Sequence, residues 1–501
     1  MMKDYEKTFE EFKNYLKKIE YLNSTEAVLY WDMRTVIPKQ GVPYRGEVLS
    51  YIGEQKYNLL TSDVMKNYIE YFEGRDDLDQ VTRACCLKCK KEYEKQKKIP
   101  KDRYTAYVLA ASESEAVWEE AKEEKNYEKF KPYLQKIIEF QREFIEYLGY
   151  DKDKYNTLLD EFEPGITVDR LDVIFSDLRD AIIDILNKIK ESSVKINTEF
   201  LAGKFDKKDQ EKLSLYVLDK MGYDMDRGAL AETMHPFTIK MGSDDVRLTT
   251  HYYENDFKSA LYSCIHEGGH GIYDQNIEKS LYGTLLSEGA SYGVHESQSR
   301  FYENILGRSL EFWKYFYSET KKIFPKFNNI PLMDFYKAMN EVKPSLIRTE
   351  SDELTYSLHI IIRYELEKDL INGRLSVDDA RDEWNKKYHE YLGVTPKDDE
   401  EGILQDMHWS DGSFGYFPSY ALGNLYGAQF LHKMEQDIPD LYSQIEKGNL
   451  LIVKEWLNKN IHKYGSLYKP EELVKLVTGE ELTAKYFIDY LYKKYGSIYN
   501  F

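Results

Sequence analysis

His235-Pro-Phe-Thr-Ile-Lys-Met-Gly-Ser-Asp-Asp-Val-Arg-Leu-Thr-Thr-His-Tyr-Tyr-Glu-Asn-Asp-Phe-Lys-Ser-Ala-Leu-Tyr-Ser-Cys-Ile-His-Glu-Gly-Gly-His-Gly-Ile272 changes its hydrophobic period partway along. Residues 235–241 and 246–252 alternate, with β-branched residues on either side of Gly-Ser-Asp-Asp, and read as a small β-hairpin. Beyond it, Asn255 or Asp256 can cap a helix running to about Ile272. Leu261, Ile265 and Ile272 form one apolar stripe on that helix. Ser259, Ser263, His266 and His270 lie on another face.

Working outward, helical periodicity takes over. Residues 4–22 place Tyr5, Phe9, Phe12, Leu16 and Ile19 at steps of three and four, the spacing of one helical face. Similar stretches recur near 63–73, 78–97, 104–123, 127–148, 168–192 and 208–222, then near 309–322, 333–341, 355–370, 376–392, 419–434 and 470–495. There is no repeat of fixed period, no low-complexity tract and no Gly/Ser linker. The expected architecture is one mainly α catalytic unit spanning residues 1–501, with the hairpin beside the helix of residues 256–272.

The 501 residues are 42% hydrophobic and 31% charged, enough apolar material for a large core and too much for a disordered chain. With 69 Lys+Arg against 88 Asp+Glu, the net charge is −19, which argues against a nucleic-acid partner. Only 4 Cys occur, so a disulfide scaffold is excluded. Cys86-Leu-Lys-Cys89 has no second pair to complete a zinc site, and with Cys85 it reads as ordinary thiols on a helix. The opening Met1-Met-Lys-Asp-Tyr-Glu-Lys-Thr-Phe-Glu10 is too charged for a signal peptide. No apolar run approaches the ~18–20 residues of a membrane span. These features predict a soluble, unprocessed cytoplasmic protein with no membrane partner.

Residues 266–270 are His-Glu-Gly-Gly-His, an H-E-x-x-H. Two histidines four apart on a helix reach one ion, and the glutamate beside them can polarise a water. The bare pattern arises by chance in roughly one or two chains in a hundred of this length, so its setting decides. Small residues around the pair suit a cleft wall better than a core. Gly268 and Gly269 cost about 1 kcal/mol each in a helix relative to Ala, which close approach of another backbone or of substrate would justify.

A catalytic zinc needs a third protein ligand and an open position. Glu288, His295 and Glu296 are the downstream candidates. Residues 287–306 read as a helix with Ala290, Val294, Ser297, Phe301 and Ile305 as its core stripe. Glu296 lies nearly opposite, on a face with Gly289, Gly293 and Arg300. Glycines there would let the two helices pack closely, and Arg300 is one turn away to hold the carboxylate. Face and spacing favour Glu296 over Glu288.

Several segments together resemble the carboxypeptidase Taq family of zinc metallocarboxypeptidases. They are Leu29-Tyr-Trp-Asp32, His235-Pro-Phe237, Asp245-Val-Arg-Leu-Thr249, His266-Glu-Gly-Gly-His270, His295-Glu-Ser-Gln-Ser-Arg300, Ile347-Arg-Thr-Glu-Ser-Asp352, Gly402-Ile-Leu-Gln-Asp-Met-His-Trp409 and Gly415-Tyr-Phe-Pro-Ser-Tyr420. Each is short, but their order and spacing are specific and cover nearly the whole chain. Ser351 stands where Ala is usual, a small departure.

The resemblance implies a helical, bilobal fold with a deep groove. It also implies release of single C-terminal amino acids with broad specificity, one Zn2+ per chain with Co2+ as a substitute, and a homodimer acting on peptides with a free C-terminus. Mapped by motif, His266, His270 and Glu296 are the metal ligands and Glu267 the general base. Arg348 grips the substrate carboxylate, while His408 and Tyr420 stand near the scissile carbonyl. His235, Asp245 and Arg247 either position substrate or hold the hairpin. Trp31 and Asp32 serve packing and capping.

The chemistry agrees with these roles. Peptide hydrolysis needs an activated water and donors for the developing oxyanion, and an exopeptidase must read the chain end, which a guanidinium does with parallel hydrogen bonds. For Arg348 the structural alternative is a salt bridge to Glu350 or Asp352. Tyr420 sits in a Gly-rich aromatic run, Gly412–Gly423, that reads as a loop over a cleft. Two other readings compete with the carboxypeptidase. A zinc endo-oligopeptidase of similar fold would cleave a peptide with an amidated end. A helical interaction protein with a structural zinc would close the site with a fourth ligand and tolerate loss of Glu267.

Overall fold

The structure, a computed structural model, describes residues 4–501; the first three residues of the charged opening lie outside them. The chain is mainly α with one small sheet, as the periodicity predicts. Buried apolar side chains from Tyr5 to Tyr499 form one contiguous core.

The first helix runs Asp4–Thr35, well past residue 22. Tyr5, Phe9, Phe12, Leu16 and Ile19 are buried, while none of residues 20–35 is. The apolar period therefore stops where the helix leaves the core, although the helix does not. Its second half packs on the unforeseen helix Val42–Leu60 and on the sheet. There Asp32 pairs with Arg45 at 2.7 Å, and Tyr30 and Trp31 flank Phe237.

Two other expectations are corrected. Residues 470–495 are two helices, Pro470–Thr478 and Lys485–Tyr499, because Gly479 (φ 80°) ends the first in the left-handed region. The helix expected from residue 287 starts at Tyr292, where the Ser291 hydroxyl accepts the Val294 N–H. After Arg300 it widens into a π-helical turn, Phe301–Leu306.

The hairpin is present as β2 (Thr238–Gly242) and β3 (Asp245–Thr250), antiparallel with Thr238 opposite Leu248. A strand not foreseen, β1 (Gly228–Glu232), adds parallel to β3, giving the order β1-β3-β2. Its sequence, Gly-Ala-Leu-Ala-Glu, carries no β-branched residue and hence no strand signal. Val246, Leu248 and Thr250 are buried, and β3 packs on the helix Phe257–Gln275. Cys85, Cys86, Cys89 and Cys264 are buried free thiols. No helix among the described residues is long and apolar enough to cross a membrane.

Candidate active site

The helix Phe257–Gln275 begins at Asp256, whose carboxylate accepts the N–H groups of Lys258 and Ser259 at 2.9 and 3.2 Å. Leu261, Ile265 and Ile272 are buried in the core. A Cβ on Gly269 would lie 2.6 Å from the Gln298 carbonyl oxygen and 2.7 Å from Ser299 Cα. Gly269 is thus where the helix Tyr292–Arg300 meets the histidine helix backbone to backbone. Gly268 faces side chains instead, with Leu218 Cδ2 2.5 Å from such a Cβ.

The glycines assigned from sequence to the other side of this contact do different work. Gly293 faces the Glu163 carboxylate and Leu422, and Gly289 lies against the His295 ring. Close packing around Glu296 comes from Gly423 on the helix Pro418–Asp437, where a Cβ would stand 2.6 Å from Glu296 Cγ.

This packing brings His266, His270 and Glu296 together, with one ligand atom from each inside 4.8 Å of the others. Glu296 Oε2 lies 3.7 Å from His266 Nε2 and 3.4 Å from His270 Nε2. Both histidines are held from behind. His266 Nδ1 meets Glu303 Oε2 at 2.9 Å, and His270 Nδ1 meets His295 Nδ1 at 2.6 Å. His295 Nε2 in turn reaches Asp274 Oδ1 at 3.3 Å. Each Nδ1 thus faces its support and each Nε2 faces Glu296, the ring orientation in which a backward Nδ1–H donation would leave Nε2 to a metal.

Arg300 Nε donates to the other oxygen of Glu296 at 2.7 Å. Burial alone would raise the Glu296 carboxyl, but Arg300 and the two histidines outweigh it and hold the group well below the usual carboxylate range. Burial opposes ionisation of Glu303 too, but Arg300 and His266 bring it down to about 2.

His295, a candidate ligand by its place in the sequence, therefore supports His270. Glu303 and Asp274 were not foreseen. Each left a signal, since Glu303 is seven residues beyond Glu296 and Asp274 four beyond His270, both same-face spacings. Glu288 is exposed, outside the cluster. Glu296→Gln is therefore expected to weaken metal binding by at least the ~10–100-fold that loss of a ligand's hydrogen-bond partner costs, and Glu288→Gln to leave it unchanged. Metal analysis after dialysis checks both, and the reverse pattern would exclude Glu296 as a ligand.

Glu267 is 7% exposed. Thr238 Oγ1, on β2, lies 2.6 Å from its Oε2 and 3.0 Å from its carbonyl oxygen. The hairpin thus orients this carboxylate, a contact that only tertiary packing creates.

Arg348 is 6% exposed. It is paired neither with Glu350 nor with Asp352. Asp352 accepts the N–H groups of Lys343 and Thr355. Arg348 Nε and Nη2 instead donate to Asp406 Oδ1 at 3.1 and 2.7 Å, and Arg363 Nε donates to Asp406 Oδ2 at 2.7 Å. Nη1 of Arg348 reaches the Tyr356 hydroxyl at 3.1 Å. Arg300 stacks 4.1 Å from the centre of the Tyr356 ring, so Tyr356 links this cluster to Glu296.

His408 Nε2 and Tyr420 OH are 3.3 Å apart, and the Arg348 guanidinium stacks 5.0 Å from the Tyr420 ring centre. Burial, with help from Arg348 and Arg363 against Asp406, brings His408 down to about 4. Burial, reinforced by Tyr416, raises Tyr420 well above the ordinary phenol. Both groups are therefore uncharged at pH 7. The loop expected from Gly412 to Gly423 ends at Pro418, so Tyr420 stands in the first turn of the helix Pro418–Asp437, with the Tyr416 ring 5.1 Å from its own.

Asp245 and Arg247 form a two-bond pair at 2.8 and 2.7 Å, and Arg247 stacks 5.5 Å from the Trp31 ring. His235 is exposed before β2, its carbonyl accepting the Thr233 hydroxyl. Among the described residues these contacts tie the three to the sheet and the first helix, not to the histidines and Glu296.

The model of the carboxypeptidase Taq (M32) metallopeptidases matches residues 11–495. The chain is 48% identical over 491 residues to Carboxypeptidase 1 of Bacillus subtilis, covering 98% of each. It is 37% identical over 508 residues to Thermostable carboxypeptidase 1 of Thermus thermophilus, covering 99% of each. Among solved structures, the M32 carboxypeptidase of Deinococcus radiodurans superposes with a TM-score of 0.97 at 31% identity, over 99% of this chain and 100% of that one. Pyrococcus furiosus carboxypeptidase gives 0.96 at 33% identity, over 99% of each.

Proposed function

We propose that this chain, which belongs to the carboxypeptidase Taq (M32) metallopeptidase family, uses zinc to remove single amino acids with broad specificity from the free C-termini of peptides. The observation that carries the reading is the cluster of His266, His270 and Glu296 with Glu267 on the same helix. Two imidazoles and one carboxylate suit zinc, and three protein donors leave a position open. The same donors accept Co2+. When bound, such an ion acidifies water and polarises a carbonyl.

The protein's own groups do the rest. Glu267 takes the proton of the attacking water and returns it to the leaving amine. Thr238 holds that carboxylate at one oxygen, leaving the other for the water. The Tyr420 O–H and a neutral His408 N–H serve the developing oxyanion. Two guanidiniums share the single carboxylate of Asp406, so the Arg348 cluster carries one surplus positive charge. A substrate C-terminal carboxylate neutralises it. Because Asp406 occupies the Nε side of Arg348, the chain end is read from the Nη1 side, near Tyr356. The protein acts as a homodimer, as the family resemblance implies, and its four free thiols accord with a reducing cytoplasm.

Thr238→Val is expected to lower kcat by about ten-fold, the scale for losing a group that orients a reacting side chain, with zinc content unchanged. Steady-state kinetics and metal analysis on one preparation check this. The function itself is tested by mass spectrometry of a peptide digest with and without a chelator. A ladder of single-residue losses that the chelator stops and added zinc restores is expected; a chelator-insensitive digest would contradict it.

A further inference from the structure

Glu367 lies on the helix Tyr356–Asn372 and is fully buried. Three donors from two segments converge on its carboxylate. The Trp409 indole Nε1–H reaches Oε1 at 2.7 Å, while the Gly415 N–H and the Tyr155 hydroxyl reach Oε2 at 2.9 and 2.5 Å. Trp409 directly follows His408, and Gly415 directly precedes Tyr416 on the way to Tyr420. One carboxylate therefore staples both ends of the turn between the two proposed oxyanion donors.

The turn is seated on the same spot by packing. Gly415 has φ 92°, and a Cβ there would be 2.8 Å from the Leu158 backbone, on the helix that carries Tyr155. The rings of Trp409 and Phe414 stack across the turn at 6.0 Å.

We infer that Glu367 is a positioning residue for peptide hydrolysis, acting through Trp409 and Gly415 to set where His408 and Tyr420 stand over the metal-ligand cluster. This rests on the roles proposed above for His408 and Tyr420. An apolar side chain of similar volume would fill this place at lower electrostatic cost, since burial pushes the Glu367 carboxyl up to about 7 against the three hydrogen bonds that lower it. What the acid adds is fixed geometry at two points of one turn. Glutamine would present an N–H2 where donors already point, and its natural misfit is with the indole N–H, because the amide oxygen can still serve Gly415 and Tyr155.

The test compares the zinc-loaded parent with Glu367→Gln, Trp409→Phe, the double variant and Tyr420→Phe. Each is assayed for kcat, KM and metal content on one peptide with a free C-terminus. Glu367→Gln is expected to lose about 10–100-fold in kcat at parental KM and metal content, the scale of an ångström-sized displacement. Trp409→Phe should lose less, and the double variant should be no worse than Glu367→Gln, because both changes act on one contact. A folded Glu367→Gln enzyme with parental kcat overturns the inference, as do fully additive losses. If Glu367→Gln does not fold, parental kcat in Trp409→Phe overturns it. Parental activity in Tyr420→Phe, or a parent that does not trim C-termini, would instead remove the functional reading on which the inference rests.

Discussion

Replacing Glu267 by glutamine is expected to abolish turnover, by about 10³-fold or more, while zinc stays bound at the parental ratio. Glutamine keeps the size of the side chain and can still accept from the Thr238 hydroxyl, which lies 2.6 Å from the carboxylate. It cannot take a proton from water. The metal is expected to stay because its proposed donors are His266, His270 and Glu296, and their supports, Glu303, His295 and Arg300, do not involve Glu267. Metal analysis and single-turnover hydrolysis on the same sample separate the two properties. Retained turnover would exclude Glu267 as the base, and loss of both zinc and turnover would mean that it holds the metal instead.

Arg348→Ala is expected to lower kcat/KM on the order of 2–5 kcal/mol, the range for breaking a desolvated charge pair. The reason is the charge balance behind the site. With Arg348 present, Asp406 faces two guanidiniums and the cluster has a positive charge to offer a carboxylate. Without it, Asp406 is still paired with Arg363 at 2.7 Å, so the variant is expected to fold, but the surplus charge is gone. Arg348→Lys keeps the charge and loses the planar fork, so it should be impaired less than the alanine variant. Zinc content should not change. If Arg348 only braces Asp406, the outcome is different: a lower Tm with near-parental kcat/KM in the folded fraction.

How far the site was legible in the sequence depended on the distance over which each contact forms. The histidine helix announced itself through one cap and one stripe, and Glu296 through its face. Glu303 and Asp274 lay at readable helical spacings but carry no motif that separates them from ordinary surface acids. Thr238 and Asp406 were out of reach. The hairpin brings Thr238 to Glu267 across 29 residues, and Asp406 meets Arg348 across 58. Arg348 is close in sequence to Glu350 and Asp352, but tertiary packing pairs it with Asp406. The same limit explains the fold. The first helix outran its apolar period because its second half rests on another helix and a sheet rather than in the core. The strand Gly228–Glu232 forms because β3 offers it an edge, not because its residues favour extension.

The most direct measurement of the central claim uses one peptide in two forms, with a free C-terminal carboxylate and with a C-terminal amide, each followed by mass spectrometry with the zinc-loaded protein. The account predicts a ladder of single-residue losses from the free acid and an intact amide. Cleavage of both forms at the same internal bonds would contradict it.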